Sequence, residues 1–191
     1  MMRILGLCGS LRSHSYNLAL LRAAQALAAD EVVLEVATLH GIPLYDGDLE
    51  QRQGLPAAVV ALKDRAVARD GLLLATPEYN NGIPGVFKNA IDWLSRPAAD
   101  IARVFGNWSV GIIGASPGGF GTMLAQSAWL PVLKTLGTRP WNGGRLLVSQ
   151  AAQRFDGGGS LTDETLRTQL RGFLQGFGAF IRPADAVGPP G

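Results

Sequence analysis

The run Gly71-Leu72-Leu73-Leu74-Ala75 carries no polar side chain and is bounded by Asp70 on one side and Thr76-Pro77 on the other. A run of that length reads as a strand, and a strand with no polar side is covered on both faces. Such strands belong to parallel sheets, and parallel neighbours require crossover connections, usually helices. The chain supplies both. Arg3 to Cys8 is a short apolar strand ending at Gly9-Ser10, Val32 to Ala37 is a β-branched one, and Trp108 to Gly114 is another. A fifth strand is expected within Pro140 to Val148.

Helical spacing fills the intervals. Asn17 to Ala29 places Leu18, Leu21, Ala24 and Ala28 near one face, and a second helix runs from Pro56 through Leu62 to Ala68. Pro84-Gly85 opens a third, with Val86, Phe87, Ala90, Ile91 and Leu94 as its stripe, and a fourth spans Thr122 to Leu136. The last starts near Thr162-Asp163-Glu164 and carries Leu166, Leu170, Phe173, Leu174, Phe177 and Ile181. The stretch containing Gly41, Pro43, Gly47 and Pro56 reads as a long loop. Five strands alternating with five helices predict a doubly wound α/β fold, its parallel sheet covered on both faces through right-handed crossovers. Residues 1–182 are expected to form one domain and 183–191 a flexible tail.

Composition narrows the function. The 17 bases and 15 acids give a net charge of +2 and are interspersed, without the basic stripe that a nucleic-acid groove needs. No apolar run approaches the length of a membrane span, so no membrane partner is expected. The lone Cys8 allows neither an internal disulfide nor a cysteine zinc site, and two isolated histidines make no metal site, so no metal is expected and a reducing cytoplasm fits best. Cys8 reads as a small buried hydrophobe, His14 as a loop residue and His40 as solvated. Trp93 reads as core or subunit-interface surface, and Trp129 likewise.

In an open parallel sheet, ligands sit beyond the carboxyl ends of the strands, near a topological switch point. Three loops therefore carry the functional weight. The first, Gly9 to Asn17, brings three serine hydroxyls, the Asn17 amide and the Arg12 guanidinium to the start of a helix. Those groups suit a phosphate, although Ser13, Ser15 and Asn17 equally suit plain helix capping. The dinucleotide fingerprint G-x-G-x-x-G and the Walker A motif are both absent, which favours a terminal monophosphate over a bridging pyrophosphate. The second loop, Thr76 to Gly85, is stiffened by Pro77 and Pro84, and Gly82 and Gly85 leave room for a flat ligand. At about ten residues it exceeds the usual strand-to-helix connection, though it still reads as one.

The third loop contains Gly114-Ala115-Ser116-Pro117-Gly118, formally the G-x-S-x-G elbow of a serine hydrolase. Pro117 has no N–H to offer an oxyanion, and both histidines precede the serine, against that fold's chain order. Gly118, Gly119 and Gly121 suit a clamp of small residues against a planar ring instead.

The run Gly9-Ser10-Leu11-Arg12 followed by Ser15-Tyr16-Asn17, the segment Thr76-Pro77-Glu78-Tyr79-Asn80, and Pro84 to Trp93 together closely resemble the NADPH-dependent FMN reductase family, which includes chromate, quinone and azo-dye reductases. The similarity spans roughly Arg3 to Ile181. It implies a flavodoxin-like, five-stranded parallel sheet of order 2-1-3-4-5. It implies bound FMN with its phosphate on Ser10, Arg12, Ser15 and Asn17, and its ring on Pro77, Glu78, Tyr79, Asn80 and Gly82, with Ser116 and Gly118 nearby. It also implies NADPH or NADH as co-substrate and a homodimer or homotetramer. The chemistry is then the cofactor's: a hydride from NAD(P)H, then two electrons to a quinone, azo compound, metal oxyanion or free flavin in a ping-pong cycle, with no catalytic side chain. Backbone N–H groups around Asn80 to Gly82 are the expected donors to the flavin's pyrimidine edge. The rival of a different class is a flavodoxin-type electron carrier. Carriers are generally strongly acidic, and this chain is near neutral.

Overall fold

The computed structural model describes residues 1–181; the expected tail at 183–191 lies outside the described residues. Strands β1 (Met2–Cys8), β2 (Val32–Ala37), β3 (Gly71–Ala75) and β4 (Ser109–Ala115) pair in parallel in the order β2-β1-β3-β4. Side chains alternate across this sheet as the pleat requires. Leu5, Leu7, Leu72, Leu74 and Val110 enter one core, against α3 (Ala57–Val67), α4 (Gly85–Leu94), α5 (Ile101–Phe105) and α6 (Met123–Thr135). Ile4, Cys8, Leu73, Ala75, Ile113 and Ala115 enter the other, against α1 (Tyr16–Leu27) and α7 (Glu164–Ile181). The first core is anchored by Phe87 and Trp129, both fully buried and edge-to-face at 4.9 Å. Such a pair adds about 0.5–1.5 kcal/mol beyond its buried area.

One expectation is refined and another corrected. The fifth sheet position is filled by two strands: β5 (Arg139–Pro140) pairs with Ser109–Val110 and β6 (Leu146–Val148) with Ile113–Ala115. Between them the chain leaves the sheet because the Trp141 indole folds back over its own loop. A Cβ at Gly143 would lie 2.5 Å from the Trp141 Nε1, and one at Gly144 2.8 Å from its Cη2. The ring is held there by Phe173 at 4.7 Å, so the glycine-rich segment is the consequence of one aromatic side chain. Secondly, the long loop after β2 contains α2 (Gly47–Gln53), capped at its start by Asp46, whose Oδ1 accepts the Asp48 N–H at 2.9 Å, and ended by Gly54 at φ 73°.

Trp93, left between core and interface by its sequence, is fully buried and donates from Nε1 to the Pro43 carbonyl at 2.9 Å. Cys8 is buried, and burial pushes its thiol above the usual range. The chain runs from β1 outward to β2 and then returns to the other side for β3. The carboxyl ends of β1 and β3 are therefore the switch point.

Candidate active site at the switch point

Gly9 leaves β1 so close to its neighbours that a Cβ there would lie 2.2 Å from Phe87. Ser10 follows, buried, its Oγ accepting the Arg12 N–H at 3.3 Å. Ser15 caps α1 by accepting the Leu18 N–H at 3.3 Å. No acidic residue occupies the first turn of α1, so the positive end of its dipole is uncompensated. The backbone N–H groups of Ser13 to Asn17 find no acceptor among the described residues. The exposed Arg12 guanidinium likewise makes no hydrogen bond or ion pair among them.

Asn17 does something that its sequence did not signal. Its Nδ2 donates to the Ala115 carbonyl and its Oδ1 accepts the Ala115 N–H, both at 2.9 Å and both buried. The carboxamide thus ties the start of α1 to the end of β4 across 98 residues of sequence.

The second loop is fixed in two places. Thr76 Oγ1 donates to the Pro77 carbonyl at 2.8 Å and accepts the Trp129 Nε1–H at 3.2 Å. Glu78 Oε2 accepts the N–H groups of Leu124 at 2.8 Å and Ala125 at 3.0 Å, capping α6, whose own N-cap Thr122 makes no side-chain cap. Beyond it, Tyr79 and Gly82 exchange both backbone hydrogen bonds, at 3.2 and 3.1 Å, around Asn80 at φ 51° and Asn81 at φ 62°. Two successive positive φ angles are the signature of a type I′ turn, which asparagine tolerates. Neither Gly82 nor Gly85 has a positive φ, each leaves room where a Cβ would stand, and the Gly82 N–H is consumed by Tyr79. The amides of Asn80 and Asn81 remain without an acceptor among the described residues.

The third loop is pinned from behind by β6 and the short turn after it. Ser116 N–H donates to the Val148 carbonyl at 2.9 Å, Gln150 N–H to Gly118 at 2.9 Å, and Ala151 N–H to Ser116 at 3.1 Å. Ser116 Oγ accepts the Gly118 N–H at 3.1 Å, a local turn rather than a contact with a base. Gly114 is required for packing, since a Cβ there would sit 2.0 Å from Thr122 Oγ1 and 2.4 Å from the Thr76 carbonyl oxygen. The first glycine of the G-x-S-x-G match therefore has a packing role. His40 is exposed but engaged. Its Nε2–H donates to the Leu11 carbonyl at 3.1 Å, and its Nδ1 shares a hydrogen bond with Thr38 Oγ1 at 3.1 Å. His14 is exposed in the first loop.

Ser10, Arg12, Ser15 and Asn17 from the first loop, Pro77, Glu78 and Tyr79 from the second, and Ser116 from the third line one cavity of about 70 Å³. Tyr16, Ala115 and Pro117 complete the lining, none of them expected as a ligand contact. Asn80, Gly82 and Gly118 lie outside that lining. A far larger cavity, about 660 Å³, opens elsewhere, between β6 and α7. Among the described residues, an uncompensated helix terminus, free amides and an unpaired cation converge at the small one. Among the described residues no cluster of metal-ligating side chains occurs, and no helix is long and apolar enough to cross a membrane.

Known proteins resemble this chain over nearly its whole length. Over 180 residues the chain is 41% identical to an NAD(P)H-dependent FMN reductase of Pseudomonas aeruginosa, covering 94% of this chain and 95% of that one. It is 35% identical to a 2-hydroxy-1,4-benzoquinone reductase of a Burkholderia species, covering 95% and 97%. A flavoenzyme NAD(P)H:(acceptor) oxidoreductase from Paracoccus denitrificans superposes with a TM-score of 0.83 at 35% identity, over 95% of this chain and 97% of that one. The family description "NADPH-dependent FMN reductase" matches residues 2–153, and with the parallel β2-β1-β3-β4-β5 sheet and its polar switch point in view, the chain belongs to that family of flavodoxin-like oxidoreductases.

Proposed function

We propose that this protein binds FMN at the switch point and uses it to pass electrons from NADPH or NADH to a small-molecule acceptor, a quinone, azo compound, metal oxyanion or free flavin, in a ping-pong cycle. One observation carries the reading. A single cavity gathers the uncompensated N-terminus of α1, the hydroxyls of Ser10 and Ser15 and the unpaired Arg12 guanidinium. That donor set fits a phosphate dianion. The cavity is large enough for a small anionic head group and too small to enclose a tricyclic ring, so the ring belongs on the open surface of the second loop.

When bound, FMN supplies the redox chemistry, accepting a hydride and releasing two electrons. The chain's own residues bind and orient. Arg12 and the free amides at the start of α1 hold the phosphate; Asn17, committed to Ala115, positions the first loop against the third. Glu78, committed to α6, holds the second loop in place. With the Gly82 N–H already bonded, the amides of Asn80 and Asn81 are the backbone donors left for the flavin's pyrimidine edge. Tyr79, 45% exposed, borders the face where nicotinamide and acceptor alternate.

Phe120, 80% exposed, and the partly exposed Met123, Leu124 and Leu130 make an apolar surface beside the loops, which supports assembly as a homodimer or homotetramer. The single buried thiol accords with a cytoplasmic setting. The test is anaerobic. The purified yellow protein should bleach on adding NADPH or NADH and regain its colour on adding a quinone. Protein that stays yellow with both nucleotides is an electron carrier and not a reductase.

A further inference from the structure

The 660 Å³ cleft between β6 and α7 falls in the size range of small-molecule sites, and nothing in the proposed reduction uses it. The buried Leu146, Leu166 and Phe173 give it an apolar floor with Trp141 as one wall, and Arg145, Arg154, Asp163 and Gln169 add a polar and charged border. Two glycines of α7 face it. Gly176 has a packing reason, because a Cβ there would come within 2.7 Å of the Trp141 ring. Gly172 has none: nothing lies within 4 Å of where its Cβ would be, and glycine is a poor residue for a helix interior. Its effect is to leave a bare patch of helix backbone in the cleft.

The charges around the cleft do not balance. Asp163 is engaged twice, accepting the Leu166 N–H at 2.8 Å on Oδ1 and pairing through Oδ2 with the Arg154 guanidinium. Arg145 lines the same cleft and has no hydrogen bond or ion pair among the described residues. Arg145 is exposed at the mouth of the cleft, where a cation without a protein partner beside aromatic and aliphatic walls offers a charge-assisted contact to an apolar ligand of opposite charge.

We propose that this cleft is a second ligand site, for an aromatic monoanion such as an aryl carboxylate or sulfonate, with its ring on the bare backbone at Gly172 beside Trp141 and its anionic group on Arg145. The site is separate from the FMN cavity and does not depend on the flavin reading.

The experiment titrates the full chain with 1-anilinonaphthalene-8-sulfonate, following dye fluorescence with and without FMN. One saturable site per chain is expected, unchanged by FMN. Gly172→Leu fills the patch and raises helix propensity, so it should fold and bind the dye about tenfold more weakly. Arg145→Ala should weaken binding by about fivefold and remove most of its salt dependence. The uncharged N-phenyl-1-naphthylamine should bind the wild type and Arg145→Ala equally. Unchanged dye affinity in Gly172→Leu overturns the site, displacement of the dye by FMN moves it to the switch-point loops, and equal binding of charged and uncharged dyes to the wild type removes the selection for an anion.

Discussion

Around the switch point, at a cavity of about 70 Å³, polar groups are tied to residues far away in sequence: Asn17 to Ala115 and Glu78 to Leu124 and Ala125 in its lining, and Thr76 to Trp129 behind it. At the β6–α7 edge about 660 Å³ opens beside a segment held chiefly by one indole lying over its own glycines. Volume records where the chain leaves space unfilled. Immobilised polar groups record where a charged ligand is met without reorganisation, and that is the property an electron-transfer cofactor site needs.

The sharpest way to break this contrast is to put the same methyl group in both regions. Gly114→Ala drives a Cβ against Thr122 and the Thr76 backbone and should destabilise by about 3 kcal/mol, lowering Tm by about 6–12 °C. Gly172→Ala at the edge should be neutral or stabilise by up to about 1 kcal/mol. Equal shifts in a thermal melt would erase the distinction. Next in size, Asn17→Ala strands the buried N–H and carbonyl of Ala115 and should cost about 2–3 kcal/mol in urea unfolding. An unchanged midpoint would mean that water replaces the amide and the loops are not braced.

Arg12→Ala separates binding from stability. The side chain is exposed and unpartnered, so the flavin-free protein should melt as wild type while FMN affinity falls about tenfold in a fluorescence titration. Retained affinity would remove Arg12 from the phosphate site.

The smallest effect is at the edge. The Leu166 N–H first, and then the Arg154 guanidinium, hold the Asp163 carboxyl below its ordinary value of 3.8. Such a group adds stability that is complete above about pH 3.8 and is lost as pH falls through its lower folded value. Asp163→Asn should flatten the acid limb of the stability curve slightly, matching wild type in strong acid and lying a little below it at neutral pH; an acid limb identical to wild type would show the pairing to be energetically silent.

The fold was legible where periodicity and punctuation agreed. Leu72 to Leu74 could only be a doubly covered strand, and Pro84-Gly85 before an apolar stripe could only open a helix. It was illegible at 139–148, where the two strand fragments have two and three residues and are specified by β4 and by the Trp141–Phe173 contact. In the site, the residue types of the first loop allowed both a phosphate cradle and plain helix capping, and Ser15 is used as the cap. The positive φ angles of Asn80 and Asn81 were within reach of the Asn-Asn-Gly signal. The engagement of Asn17 with Ala115 and of Glu78 with α6 was not, since each joins segments dozens of residues apart.

The sequence by itself determined the alternation of strands and helices, the side of the sheet where ligands meet the chain, and the family. These follow from local rules: side-chain period, turn chemistry and short motifs. The tertiary structure alone decided which of those polar side chains are free to meet a ligand and which are spent holding the loops together, and where the chain leaves a cleft. Those outcomes depend on distances between segments that meet only when the sheet closes.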